Sequence, residues 1–304
     1  MAISRSQLVK ELEPGLNALF GLEYKRYENQ HAEIYTSESS DRAFEEEVML
    51  SGFANAQIKG EGQGVAFDEA QETYTARYTN ETIALAFAIT EEAIEDNLYD
   101  RLASRYTKAL ARSMSNAKEV KGAQPLNNGL PGVATFNSGD GVSLFNTAHT
   151  TISGTNVSNT LTTQADLNET SLEAALIDIA AFTDERGLRI AAKGVKMIIP
   201  SANQFNAERL MKSQGRPGTA DNDINAINSM GMIPQGYRVN NFLTDADSWY
   251  IITDVPNGMK MFQRTPLTTS MEGDFDTGNV RYKARERYVF GVSDYRGIFG
   301  CEGA

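Results

Sequence analysis

Two histidines, His31 and His149, and one cysteine, Cys301, are all the chain offers for histidine- or thiol-based chemistry. A Ser/His/Asp hydrolase would have to use one of those histidines, and no G-x-S-x-G elbow is present. His149 falls in the threonine-rich string LFNTAHT (144–150), where a hydrogen-bonded structural role is expected. The run GEGQG (60–64) superficially resembles a phosphate-binding loop, but it lacks the P-loop lysine. Strand-like residues follow it instead of a helix N-terminus, so it reads as a flexible turn. Asp221, Asp223 and Asn225 mimic the opening of an EF-hand loop. The match ends there, with Ala226 where glycine is required and Met232 where the bidentate glutamate belongs, and a helix N-cap is expected instead. One cysteine and two distant histidines give no zinc spacing. No catalytic residue, cofactor or metal site is therefore expected, and the chain reads as a non-enzyme.

The residues that stand out are cations in rows. Arg101, Arg105, Lys108 and Arg112 are spaced four, three and four apart, which aligns them on one ridge of a helix. Arg281, Lys283, Arg285 and Arg287 alternate, which puts them on one face of a strand. Solvated surface is the plain reading of each row; docking of acidic protein is the functional one. The chain carries its own acidic counterpart, since residues 1–90 hold seven basic and fifteen acidic side chains, with Glu45, Glu46 and Glu47 the densest run. With 28 Lys+Arg against 40 Asp+Glu and a net charge of −12, nucleic acid is not expected to be gripped by the bulk surface.

These rows require elements to carry them. Leu8, Leu12, Leu16, Leu19 and Phe20 have helical spacing, interrupted by Pro14 and Gly15, and suggest an arm with no core of its own. Residues 72–85 alternate as strands do, and the glycines at 60, 62 and 64 mark a mobile tip, predicting a long hairpin. Thr90 as N-cap, an acidic first turn, and apolar residues from Ile94 to Val120 predict a helix over 90–121. Lys118 and Lys121 close it, Gly122 ends it and Pro125 prevents continuation. Residues 122–165 are loop-rich. Beyond them come a helix over 171–186 stopped by Gly187, a strand VKMII, and a helix over 202–212. Strands near 238–243, 249–253 and 259–263 and a long strand or hairpin from Val280 complete the chain.

At 304 residues, 41% apolar and 22% charged, the composition is globular and excludes disordered, collagenous and membrane-spanning classes. A single cysteine excludes an internally disulfide-bonded scaffold, and no apolar leader segment is evident, so a cytosolic product is expected.

The order of parts resembles the major capsid proteins of tailed bacteriophages, with the α+β Hong Kong 97 phage-type fold, and looks closest to the Mu-like major head subunits. The strings carrying the likeness are GLNALFGLEYKRYENQHAEIYTSESS, ITEEAIEDNLYDRLASRYTKALARSMSNAKE, LFNTAHT and YVFGVSDYRGIFG. The resemblance implies an N-terminal arm over 1–50, an E-loop hairpin over 51–88, and a P domain over 89–165 with spine helix 90–121. It further implies an A domain over 166–262 and P-domain return strands over 263–304. Implied with these are self-assembly into pentamers and hexamers of an icosahedral shell around double-stranded DNA, and location in the virion after assembly in the host cytoplasm. Many copies of itself, a separate scaffolding protein, a portal and a decoration protein are the implied partners, with no membrane and no sequence-specific DNA contact. Some relatives crosslink through a lysine–asparagine isopeptide bond, for which Lys59 is the one lysine in the proposed hairpin; a free surface lysine is the plainer reading. The two cation rows, Lys59 and the Glu45–Glu46–Glu47 run are the expected inter-subunit contacts. An encapsulin-like nanocompartment and, from another class, a soluble α/β enzyme with a hairpin lid are the alternatives.

Overall fold

The computed structural model describes residues 5–90, 92, 99–216, 223–274 and 278–304. The acidic first turn predicted for the long helix lies largely outside them, as does Asp221.

Helix α1 (Arg5–Tyr24) runs unbroken through Pro14, contrary to the interruption expected there. Leu16 and Phe20 are buried against Ala103, Leu110, Ala111, Met114, Tyr282 and Ala284, and this burial holds the helix in place. Asn17 Oδ1 also accepts hydrogen bonds from Thr269 Oγ1 (2.7 Å) and Tyr282 Oη (2.8 Å). The chain then makes a short 3-10 turn (Gln30–Glu33) and enters strand β1 (Thr36–Ser39). The expected arm is thus folded onto its own chain as far as β1.

Strand β2 (Phe44–Leu50) pairs antiparallel with β3 (Glu72–Thr79), and residues 51–71 form the tip between them. The hairpin therefore starts earlier than expected. Its second strand ends at Asn80, after which β4 (Glu81–Ile89) joins a different sheet. Tyr78 packs on the β11 backbone at Gly291, where an added Cβ would come within 2.4 Å of its ring, so the glycine makes room for the hairpin beside the sheet.

Helix α2 (Tyr99–Asn128) continues past both expected stops. At 30 residues it is about 45 Å long. Gly122 is required by proximity, because a Cβ there would lie 2.8 Å from the Cβ of His31, and Tyr35 Oη donates to Gly122 O at 2.7 Å. Pro125 removes one helix hydrogen bond, a loss of about 3 kcal/mol in a helix interior. Beyond it Leu126 and Leu130 are fully buried, each contributing about 1.5–3 kcal/mol, which offsets the loss.

Strands β10 (Met259–Gly273) and β11 (Val280–Val292) form the centre of a four-stranded sheet in the order β1-β10-β11-β4. One face packs on α1 and α2. The second region contains short strands β5 (His149–Thr150) and β6 (Asn156–Val157), then helix α3 (Glu169–Ala180) with a capping box from Asn168 and Ser171. That helix stops six residues before the expected end. Asp184 Oδ1 folds the following chain by accepting from Arg186 N and Leu188 N, and Glu185 is drawn to Arg296 at 2.6 Å. Strand β7 (Gly194–Ile199), helices α4 (Gln204–Lys212) and α5 (Ala226–Met230), and strands β8 (Tyr237–Val239), β9 (Trp249–Thr253) and β12 (Ile298–Cys301) complete it. Its sheet order is β12-β9-β7-β8 around a core containing Trp249, Ile251 and Phe299. Asn225 caps α5 by accepting from Ile227 N and Asn228 N, the role the sequence suggested for that segment.

Candidate functional site

Both histidines are held by carboxylates in packed positions. His31 Nδ1 lies 2.6 Å from Glu119 Oε1, and His31 N donates to Glu119 Oε2 at 2.9 Å. His149 Nδ1 lies 2.6 Å from Asp140 Oδ2, and its ring stacks on Tyr295 at 3.9 Å. Burial alone would raise the Asp140 carboxyl, yet hydrogen bonds from His149 and Ser138 hold it below the ordinary aspartate range. These contacts fix the LFNTAHT loop to the C-terminal turn, a structural task. Among the described residues no group of three or more His, Cys, Asp or Glu side chains could hold a metal ion.

The cation row on β11 is arranged as the alternation requires. Tyr282, Ala284, Glu286 and Tyr288 face inward and are buried, while Arg281, Lys283 and Arg285 are exposed and Arg287 is half-buried. Successive cations are about 6.8 Å apart. The row lies between two rows of mostly small side chains: Thr82, Ala84, Ala86 and Ala88 on β4, and Thr265, Thr268, Ser270 and Glu272 on β10. Arg281 pairs with Asp274, whereas Lys283, Arg285 and Arg287 have no ion-pair partner among the described residues.

The second ridge runs along α2. Arg105, Lys108 and Arg112 are exposed and free of ion pairs among the described residues; the Arg101 side chain lies outside them. Lys118 is not a closing surface lysine but a buried one, donating at 3.3 Å to Glu286 on the inner face of β11. Burial raises the Glu286 carboxyl above the ordinary glutamate range despite that lysine. Spacing alone could not show this pair, because its members are 168 residues apart.

Much of the acidic excess is used within the chain. Glu33 meets Lys196 (2.7 Å) and Arg238 (3.5 Å), and both Glu38 and Glu47 meet Lys260. Glu46 lies 3.8 Å from Arg77, Asp68 lies 4.0 Å from Arg186, and Glu81 pairs with Lys121. Among the described residues Glu45 accepts the Ser40 hydroxyl, at 2.8 Å, and meets no cation. Of the Glu triplet, Glu47 is thus engaged inward and Glu46 faces outward.

The hairpin tip has the opposite character. Its neck is closed by Ser51 N to Gln71 O (2.8 Å) and Gln71 N to Ser51 Oγ (2.9 Å). Residues 52–71 beyond it are all exposed, with Ile58 and Phe67 as open as in an extended chain (102% and 98%) and Lys59 beside them. Val48 and Leu50 extend this apolar surface along β2.

No curated protein sequence matches the chain. Among solved structures, the capsid of Myoviridae phage XM1 is similar with a TM-score of 0.52 at 12% identity, over 89% of each chain. A virus-like particle from Pyrococcus furiosus gives 0.52 at 9% identity, over 94% of this chain and 98% of that one. The procapsid of bacteriophage JBD30 gives 0.52 at 14%, over 99% and 77%. The similarities extend across tailed-phage capsids and are not confined to Mu-like subunits. A family model described as phage capsid protein matches residues 73–300, three-quarters of the chain, and favours a phage head over an encapsulin-like compartment. With the α+β architecture above, these findings place the chain in the phage capsid protein family, as a structural shell subunit with the Hong Kong 97 phage-type fold.

Proposed function

We propose that copies of this chain assemble as pentamers and hexamers of an icosahedral head enclosing double-stranded DNA. The observation that carries this reading is the tip: Ile58, Val65 and Phe67 are exposed beyond a closed neck and have no core of their own to enter. Hydrophobic surface of that kind is stabilised by burial against a neighbour. Heterologous contacts that close on themselves then generate a shell. The tip with Lys59 supplies one side of the contact. The β11 row Arg281, Lys283, Arg285 and Arg287 supplies the other, as a line of exposed and half-buried cations for an acidic segment. Glu45, Glu46, Glu61, Glu69 and Glu72 of the neighbouring hairpin are the carboxylates for it, whereas Glu47 supports its own strand. In domain terms, residues 90–165 and 263–304 would form the peripheral domain and 166–262 the axial one. Residues 5–43 would act as an arm already docked on its own subunit. A scaffolding protein, a portal and decoration proteins are the partners this reading adds, with assembly in the host cytoplasm before the shell becomes part of the virion. Size-exclusion chromatography with negative-stain microscopy tests it: closed particles are expected, and a chain that stays monomeric at all concentrations would exclude it.

A further inference from the structure

The ridge on α2 meets no carboxylate of its own chain among the described residues. Arg105, Lys108 and Arg112 lie on one helix face over about 10 Å, exposed and without an ion-pair partner among the described residues. Beside them α1 and α2 enclose an open groove of about 430 Å³. Lys108, Arg112, Ser113 and Asn116 line it from α2, Glu23 from the end of α1 and Tyr27 from the chain just after it. Its one carboxylate is countered locally: Glu23 Oε1 accepts from Tyr27 Oη at 3.4 Å and lies 3.6 Å from Arg26 Nη1. What remains is a strip of exposed cations interleaved with hydroxyl and amide donors, the donor set that contacts phosphate and sugar oxygens without reading bases.

We propose that this ridge and groove contact the phosphate backbone of duplex DNA, so that α2 is the wall against which the contents of the shell rest. The assignment depends on the DNA-enclosing reading above and goes further by naming the surface. It also replaces the acidic neighbour that the sequence alone suggested for this ridge. The net charge of −12 does not prevent it, because at about 0.1 M salt the screening length is about 10 Å. Phosphates touching the ridge feel its cations, while distant carboxylates are screened. Binding of this kind is weak, in the range of about 10⁻⁴–10⁻⁶ M, and carries a salt slope of about −0.9 for each phosphate neutralised. Three cations give a slope near −3.

The test is fluorescence anisotropy of a labelled 30-base-pair duplex with the full unassembled chain, from 50 to 200 mM salt. The parent should bind with a slope of about −3. The variant carrying Arg105→Gln and Arg112→Gln should bind at least tenfold more weakly, with the slope reduced in magnitude by about 2. Both positions are exposed, and unchanged far-ultraviolet circular dichroism confirms that the helix persists. The variant carrying Lys283→Gln and Arg285→Gln should lose clearly less affinity than the ridge variant. Two results overturn the proposal: a parent that binds no duplex at 50 mM salt, or a ridge variant with the parent's affinity and slope. If the ridge variant keeps DNA binding but loses particles in the microscope, the ridge is a subunit contact and the proposal is wrong, while the shell reading stands.

Discussion

Replacing Phe20 by alanine separates an arm docked on its own chain from one that docks only on a neighbour. Phe20 is 2% exposed and Leu16 8%, so their burial contributes about 1.5–3 kcal/mol each. The two hydrogen bonds accepted by Asn17 add about 1 kcal/mol each, for a gross docking energy of about 5–8 kcal/mol. A buried Phe→Ala change removes about 3–5 kcal/mol, more than half of that total. The prediction is local opening: α1 detaches while the second region, with buried Trp249 as its reporter, stays folded. Hydrogen exchange on the unassembled subunit should show protection over 14–24 falling by about two to three and a half powers of ten. The Trp249 unfolding midpoint in urea should move far less. If α1 exchange is already fast in the parent and unchanged by the substitution, the helix is not docked in the free subunit, and the packing argument for its continuity through Pro14 fails.

Deleting residues 57–70 removes exposed chain and leaves the neck in place, so the product should be soluble, folded and unable to form particles in negative stain. Changing Lys283 and Arg285 to glutamate should slow assembly followed by light scattering at low salt. The effect should shrink as salt is added, because individual exposed pairs contribute only about 0–1 kcal/mol and are screened. Gly122→Ala forces a Cβ to within 2.8 Å of His31 and should destabilise by about 1–3 kcal/mol in urea unfolding. Asp140→Asn should destabilise by about 1–3 kcal/mol at pH 7 by removing the carboxylate that His149 and Ser138 hydrogen-bond. Because the folded state holds Asp140 below its ordinary value of 3.8, the parent's advantage is present above that pH. It is lost as pH falls through the lower folded value, so urea curves of the two proteins should converge there.

Periodicity made the long helix, the β11 row and the ridge legible, since each needs only residue spacing along one element. The helix end was misplaced because Gly122 and Pro125 carry local stop signals, and the features overriding them are tertiary: His31 pressed on Gly122, and Leu126 and Leu130 buried beyond. The docking of the arm on its own chain was not legible for the same reason. Phe20 finds Tyr282, and His31 finds Glu119, through separations of more than 80 residues, which no local pattern encodes. Charge counting located the acidic excess in the first 90 residues but not its destination. Lys196, Arg238 and Lys260 neutralise Glu33, Glu38 and Glu47 from the far end of the chain. The exposed tip was legible as a glycine-rich turn, though the pairing of 44–50 with 72–79 was not, since Glu45–Glu47 resembled a solvated run.

The hairpin meets the sheet where Tyr78 lies on Gly291. Hairpin and sheet are one continuous strand interrupted at Asn80, whose side chain donates to Ser40 Oγ (2.8 Å) and Arg42 O (3.1 Å). Tyr78 bears on Gly291 just before that point, and β4 grips β11 just after it. A load applied to the tip by an adjoining subunit would therefore reach the body at several points: Tyr78 on Gly291, Glu47 on Lys260, and Arg186 on Glu69 O. From Gly291 the path leads along β11, whose Glu286 is paired with Lys118 of α2. Subunits set at different angles to their neighbours are then expected to differ mainly at the tip, where residues 52–71 are all exposed.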